Sequence, residues 1–168
     1  MTTARRIGRN IAALLALGSL LASEASLATT TKTATFLVNL TITSDCSIST
    51  NPLAFGSSGV IAAAINQTTT LSITCSNTTP YNVGLDAGNV TGSTVAARLL
   101  ANGAVTMSFQ MYSDSGRTTI WGNTVAVNTV TGTGTGSAQT LTVYGQVPVQ
   151  STPAANTYSS TVTASVIF

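Results

Sequence analysis

Few side chains in this sequence could do chemistry. There is no His, which removes Ser–His and Cys–His nucleophile pairs and the commonest metal ligand. Beyond the first 28 residues the carboxylates are Asp45, Asp86 and Asp114, scattered, each in or beside a turn. Asp114, in Ser113-Asp114-Ser115-Gly116, suits a turn cap better than a general base. Trp121 with Tyr112 could form a sugar-stacking platform or pack into a core. Asn-x-Thr matches at Asn39, Asn66, Asn77 and Asn89 are what chance gives in so Thr-rich a chain. Two cysteines remain, Cys46 and Cys75, and their chemistry depends on the compartment. No catalytic, metal or cofactor constellation emerges, and the expectation is no enzyme and no cofactor.

The compartment is read from the first 28 residues. Arg5, Arg6 and Arg9 precede the apolar run Ile11–Leu21, which is too short to span a bilayer. Ser26-Leu27-Ala28 is a small-x-small cleavage site, with Ser23-Glu24-Ala25 as the second choice. Residues 1–28 therefore read as a secretory signal peptide. Cleavage there leaves 140 residues, with Lys32, Arg98 and Arg117 balancing Asp45, Asp86 and Asp114. The formal charge of +2 thus belongs to the leader, and no basic patch exists for nucleic acid. An even cysteine count in an exported chain reads as one disulfide, Cys46–Cys75. Closing a loop of about 30 residues contributes about 3–4 kcal/mol in a chain-entropy treatment.

The elements that would carry these residues are strands. Ala34–Thr43 alternates, with Ala34, Phe36, Val38, Leu40 and Ile42 on one face and mostly Thr and Asn on the other. It predicts a long strand running to about Ile48, ended by Asn51-Pro52. Leu53–Phe55 and Gly56–Gly59 form a loop with an apolar foot. Thr68–Ser76 places Leu71, Ile73 and Cys75 on one face, and Pro80–Ala87 does the same with Tyr81, Val83 and Leu85. Val95–Leu100 and Val105–Tyr112 flank Asn102-Gly103, a hairpin signal. Short strands are expected over Thr118–Trp121, Thr124–Val130 and Leu141–Gln146, with Thr131–Gly136 as a mobile glycine-rich turn. Tyr158–Phe168 reads as one last strand with Tyr158, Val162, Ala164, Val166 and Phe168 on one face. Many short strands punctuated by Gly, Pro and Asn predict an all-β sandwich.

Several stretches, in order over residues 34–168, resemble the spore coat protein U domain family, which includes pilins of archaic chaperone–usher pili. They are LTITSDCSI, Leu53-Ala54-Phe55-Gly56, LSITCSNTTPYNVGLDAG, MYSDSGRTTIWGN, VTGTGTGSAQTLTVYGQVP and TYSSTVTASVIF. One departure is Asn156-Thr157, where a Gly is expected just before the Tyr. The resemblance implies an incomplete immunoglobulin-like β-sandwich completed by donor-strand complementation, a form of β-augmentation. Its implied partners are a periplasmic pilus chaperone, an outer-membrane usher and neighbouring pilin subunits. The chain would pass through the periplasm to a cell-surface pilus that supports adhesion and biofilm.

On that reading, residues 29–40 are an N-terminal donor-strand extension with Ala34, Phe36, Val38 and Leu40 as its knobs. Residues 41–168 are the sandwich domain, with Ile42 onward in its own first strand. Val162, Ala164, Val166 and Phe168 border the acceptor groove and bind the chaperone, the Phe168 carboxylate docking on it. The residues themselves support donation, because a flat, uncharged, Pro-free strand with one apolar face is a poor free edge. The competing reading makes the whole run an intramolecular first strand. A single domain with such an extension suits a polymerising subunit, since a tip adhesin would need another domain. The alternative function is a stand-alone secreted coat or carbohydrate-binding sandwich with Trp121, Tyr112 and Tyr144 as contacts.

Overall fold

The computed structural model describes residues 28–168. The leader expected over residues 1–28 lies outside the described residues, Ala28 excepted. Cα proximity divides the chain into two units, Met1–Asn39 and Leu40–Phe168. In the first, residues 28–39 form no strand and are exposed throughout.

The second unit is an all-β, immunoglobulin-like sandwich. Its strands are β1 (Cys46–Thr50), β2 (Ile65–Cys75), β3 (Pro80–Leu85), β4 (Arg98–Asn102), β5 (Val105–Tyr112), β6 (Val130–Thr133), β7 (Gln139–Val147) and β8 (Ala164–Ile167). One sheet has the order β1-β2-β7-β5-β4 and the other β6-β3-β8. All pairings between the strands are antiparallel. The alternating apolar positions meet between the sheets: Leu71, Ile73 and Cys75 from β2, Tyr81, Val83 and Leu85 from β3, Phe109 and Met111 from β5, and Val143 and Val147 from β7 are all buried. These are the faces that period-2 alternation predicts.

Cys46 and Cys75 are directly paired across β1 and β2, with Cα atoms 4.1 Å apart, and they form the expected disulfide. Trp121 is 1% exposed and its Nε1–H donates to the Val83 carbonyl at 2.8 Å, so it is a core residue and not a stacking platform. Asp114 caps its turn, accepting from Thr118 N at 3.0 Å, Thr118 Oγ1 at 2.9 Å and Thr119 N at 2.7 Å.

Several expected elements differ, each for a physical reason. Ala34–Thr43 forms no strand, and Phe36, Val38 and Leu40 are 86%, 77% and 84% exposed. Alternation alone does not make a strand, because the ladder hydrogen bonds come from a neighbour. Nor does the domain's first strand begin at Ile42. β1 starts at Cys46, and the lead into it is held by a side chain, Ser76. Thr118–Trp121 contributes only a single bridge, Tyr112 to Ile120. Thr124–Asn128 turns back on itself, with Val127 N and Asn128 N both bonded to the Thr124 carbonyl at 3.1 Å. The glycine-rich Thr131–Gly136 is no mobile turn, since its first half is β6, paired with β3. A Cβ on Gly132 would lie within 2.3 Å of the Tyr81 ring, so this glycine serves close packing.

The last predicted strand is broken between two partners. Ser159 bridges Ala101 of β4, whereas Ala164–Ile167 pairs with β3. Between them, Thr161 and Thr163 bond Asn89 and Asp86. The chain therefore changes sheets along one continuous segment, and its inward positions keep their alternation: Tyr158, Ser160, Val162, Ala164 and Val166 are all half-buried.

Candidate functional site

The two sheets are unequal in length, and this creates the site. β2, β7 and β5 have 11, 9 and 8 residues, whereas β3, β6 and β8 have 6, 4 and 4. At about 3.3 Å per residue the short sheet covers only part of the long sheet's apolar face. What remains is a groove of about 1300 Å³ within the Leu40–Phe168 unit. That exceeds the roughly 300–1,000 Å³ common for small-molecule pockets. Its floor is apolar and comes mainly from the long sheet: Leu71, Met107, Phe109, Met111, Val143 and Val147. Leu53 and Phe55 form one end, where a Cβ on Gly145 would lie 2.6 Å from Leu53 and 3.0 Å from Phe55. Gly145 is thus what lets this apolar foot rest on β7. The Phe55 ring also meets Phe109 edge-on, with centroids 6.3 Å apart.

Two chain segments flank the groove, each reaching it from the end of an edge strand, Thr50 of β1 and Ala164 of β8. On one side β1 pairs only with β2, and the wall continues through Asn51 to Gly59. On the other side the wall is Tyr158–Val162 and Ala164. In that segment Ser159, Thr161 and Thr163 turn their backbone groups toward Ala101, Asn89 and Asp86. Backbone groups alternate along a strand, so those of Ser160, Val162 and Ala164 face the groove side. No backbone hydrogen bond outside the ladders involves Ser160 or Val162 among the described residues. The arrangement is an apolar slot with exposed backbone donors and acceptors at its edge, which is what an added strand requires.

Of the predicted groove residues, Val162 and Ala164 line this cavity. Val166 and Phe168 lie beyond its lining, near the end where β1 and β8 approach each other. Phe168 is 56% exposed. The predicted donor knobs Ala34, Phe36, Val38 and Leu40 are all exposed.

The rim is held by polar contacts that sequence reasoning did not single out. Asp86 Oδ1 accepts from Thr163 N at 2.9 Å and Gly88 N at 2.8 Å, while Asp86 N donates to the Thr163 carbonyl at 3.0 Å. Partial burial pushes this carboxyl up. The Thr163 and Gly88 hydrogen bonds, helped by the charge of Arg98, outweigh it and hold the pKa below its usual value. Arg98 is fully buried beneath the rim. Its Nε donates to Asp86 O at 2.8 Å, its Nη2 to Leu85 O at 2.8 Å and Trp121 O at 2.7 Å, and its Nη1 to Gln110 Oε1. Burial pulls its pKa down to about 10, against the Asp86 charge, so it stays protonated at neutral pH. A buried guanidinium is tolerable here only because the carbonyls of Leu85, Asp86 and Trp121 and the Gln110 side chain accept its protons.

On the outer face of the long sheet, Tyr112 and Tyr144 are directly paired, and the Arg117 guanidinium sits 5.9 Å from the Tyr144 ring centre. No cluster of three His, Cys, Asp or Glu side chains able to hold a metal occurs among the described residues.

A family model described as the Spore Coat Protein U domain matches residues 32–165. No curated protein matches. Among the solved structures that match is a chain from the crystal structure of the CsuC–CsuE chaperone–tip adhesion subunit pre-assembly complex from archaic chaperone–usher Csu pili of Acinetobacter baumannii. It is 24% identical with a TM-score of 0.56, over 76% of this chain and 40% of that one. This chain thus spans well under half of that protein, and the likeness is one of fold.

Proposed function

The chain belongs to the Spore Coat Protein U domain family, and from that premise we propose that it is a structural subunit of a secreted surface fibre assembled by strand donation. The observation that carries this reading is the slot just described: an apolar floor of about 1300 Å³ beside a rim whose Ser160 and Val162 backbone groups have no partner outside the ladders among the described residues. A strand laid there bonds its backbone to the rim at Ser160 and Val162 and drops alternate side chains onto Leu71, Phe109 and Val143.

Residues 29–40 are the donated strand, and residues 41–168 the domain that receives one. Ala34, Phe36, Val38 and Leu40 recur at the two-residue spacing of Tyr158, Ser160, Val162 and Ala164 on the rim, so four knobs meet four inward positions. The exported subunit is held in transit by a periplasmic pilus chaperone that fills the same slot and contacts the β8 edge through Phe168. It is then passed at an outer-membrane usher to its neighbour. The role is structural, with no catalysis, and the fibre serves adhesion and biofilm.

The test is expression of the exported chain with and without a co-expressed pilus chaperone, followed by size analysis. The expected result is soluble subunit only in the chaperone's presence, as a one-to-one complex. A stable monomer recovered without chaperone, and unchanged on removal of residues 29–40, would refute the reading.

A further inference from the structure

The outer face of the long sheet carries a cluster that the groove does not use. Tyr112 of β5 lies directly opposite Tyr144 of β7, Tyr144 lies opposite Thr68 of β2, and Tyr112 also bridges Ile120. Directly opposed residues share a face. Met111 and Val143, the chain neighbours of the two tyrosines, point into the core. Thr68, Tyr144, Tyr112 and Ile120 therefore form one row across the outside of the sandwich. At about 4.8 Å per strand the row is about 14 Å long. Thr68 is exposed and the other three are half-buried, so the row is open to solvent. The Tyr158 hydroxyl donates to the Ala154 carbonyl, whereas those of Tyr112 and Tyr144 have no protein partner among the described residues.

Arg117 stands over this row, its guanidinium 5.9 Å from the Tyr144 ring centre. Its φ is 56°, a left-handed conformation uncommon for a residue with a side chain. Its Nε donates to the Gly145 carbonyl at 3.3 Å and its Nη1 to the Ser115 carbonyl at 3.4 Å, while Nη2 has no partner among the described residues. The carboxylate of the same turn, Asp114, is taken up by Thr118 and Thr119. In residues 41–168 the cations are Arg98 and Arg117, and Arg98 is fully buried. Arg117 is thus the cation of the sandwich that a solute can reach. The free side of its fork matches a carboxylate.

We propose that this row is a binding site for an acidic glycan, a chain of pyranose rings that bear carboxylates. A pyranose ring has an apolar C–H face and a rim of hydroxyls. The C–H face packs on Tyr112 and the open part of Tyr144, whose rings are apolar bodies with polar tips. The two phenol hydroxyls and Thr68 bond the sugar hydroxyls, and Arg117 takes the carboxylate. A flat row fits an extended chain, whereas a small ligand needs a concave site. The row lies on the face of the long sheet away from the groove, so filling one leaves the other open.

The experiment is isothermal titration of the exported full-length chain, as recovered from its host, with hexagalacturonate and with its methyl ester, which keeps the rings and removes the charge. Hexagalacturonate is expected to bind, and the ester at least about tenfold more weakly. Arg117→Lys keeps the charge without the fork and is expected to weaken binding about tenfold. Tyr112→Thr and Tyr144→Thr preserve strand propensity and are each expected to weaken it about tenfold. Arg117→Gly is expected to abolish binding while Tm stays level or rises, because glycine adopts a positive φ without strain. All four variants are expected to leave the size of the recovered particle unchanged.

No binding of hexagalacturonate would overturn the site. Equal binding of acid and ester would overturn the carboxylate assignment. Undiminished binding by both tyrosine variants would place the glycan elsewhere on the chain. A lower Tm for Arg117→Gly, with binding kept by the folded protein, would make Arg117 a structural brace and overturn its role. A changed particle size in the tyrosine variants would place the row in an interface between subunits and overturn the proposal.

Discussion

Val38→Asp is the substitution that separates donation from intramolecular burial. Val38 is 77% exposed and belongs to no strand, so its replacement removes almost no contact within its own chain. A surface change of this kind shifts folding stability by about 0.5 kcal/mol or less. In a neighbour's groove the same side chain goes from open to buried, which is worth about 1.5–3 kcal/mol. Losing that alone weakens strand binding by roughly 10- to 100-fold. The carboxylate adds a larger cost, because a floor of Leu71, Phe109, Met111 and Val143 offers it no partner. The expected outcome is chaperone-bound subunit at wild-type yield and Tm, with polymer reduced at least about 100-fold. Asn39→Asp, on the opposite face, is expected to cost little. The assay is chaperone co-purification beside surface polymer yield for both variants. Loss of the chaperone complex with Val38→Asp would show that the segment belongs to its own fold, and normal polymer would show that it is buried nowhere.

Replacing both cysteines by Ser removes a link spanning 29 residues of sequence separation and is expected to cost about 3–4 kcal/mol, read as a lower urea midpoint of the chaperone-released subunit. Arg98→Ala leaves the carbonyls of Leu85, Asp86 and Trp121 without their donor, and a loss of about 1–3 kcal/mol for each carbonyl that water does not reach is expected in the same measurement. Asp86 has a folded pKa below its ordinary 3.8, so it binds a proton more readily unfolded than folded. Its contribution is complete well above pH 3.8 and is lost as pH falls through the lowered folded value. Asp86→Asn is therefore expected to flatten the Tm–pH curve below about pH 4, and an unchanged acid limb would refute the Thr163 tie.

Much of this protein is determined by neighbours in sequence. Side-chain direction along a strand alternates residue by residue, so Leu71-Ile73-Cys75, Tyr81-Val83-Leu85 and Phe109-Met111 declare their buried faces without reference to the rest of the fold. The cysteine pair follows from count and compartment, and the capping role of Asp114 from a four-residue turn. What the sequence could not decide is which edges meet. Ala34–Thr43 has the pattern of a strand, yet a strand exists only where another chain segment supplies its ladder. Thr131–Gly136 looks like a flexible turn until Tyr81 packs against Gly132. Arg98 looks solvent-facing until the carbonyls of residues 85, 86 and 121 converge on it. The groove itself arises from the mismatch between an 11-residue strand in one sheet and 4-residue strands in the other. That quantity depends on where distant segments begin and stop pairing, and pairing partners are chosen only when the two sheets close over a common core.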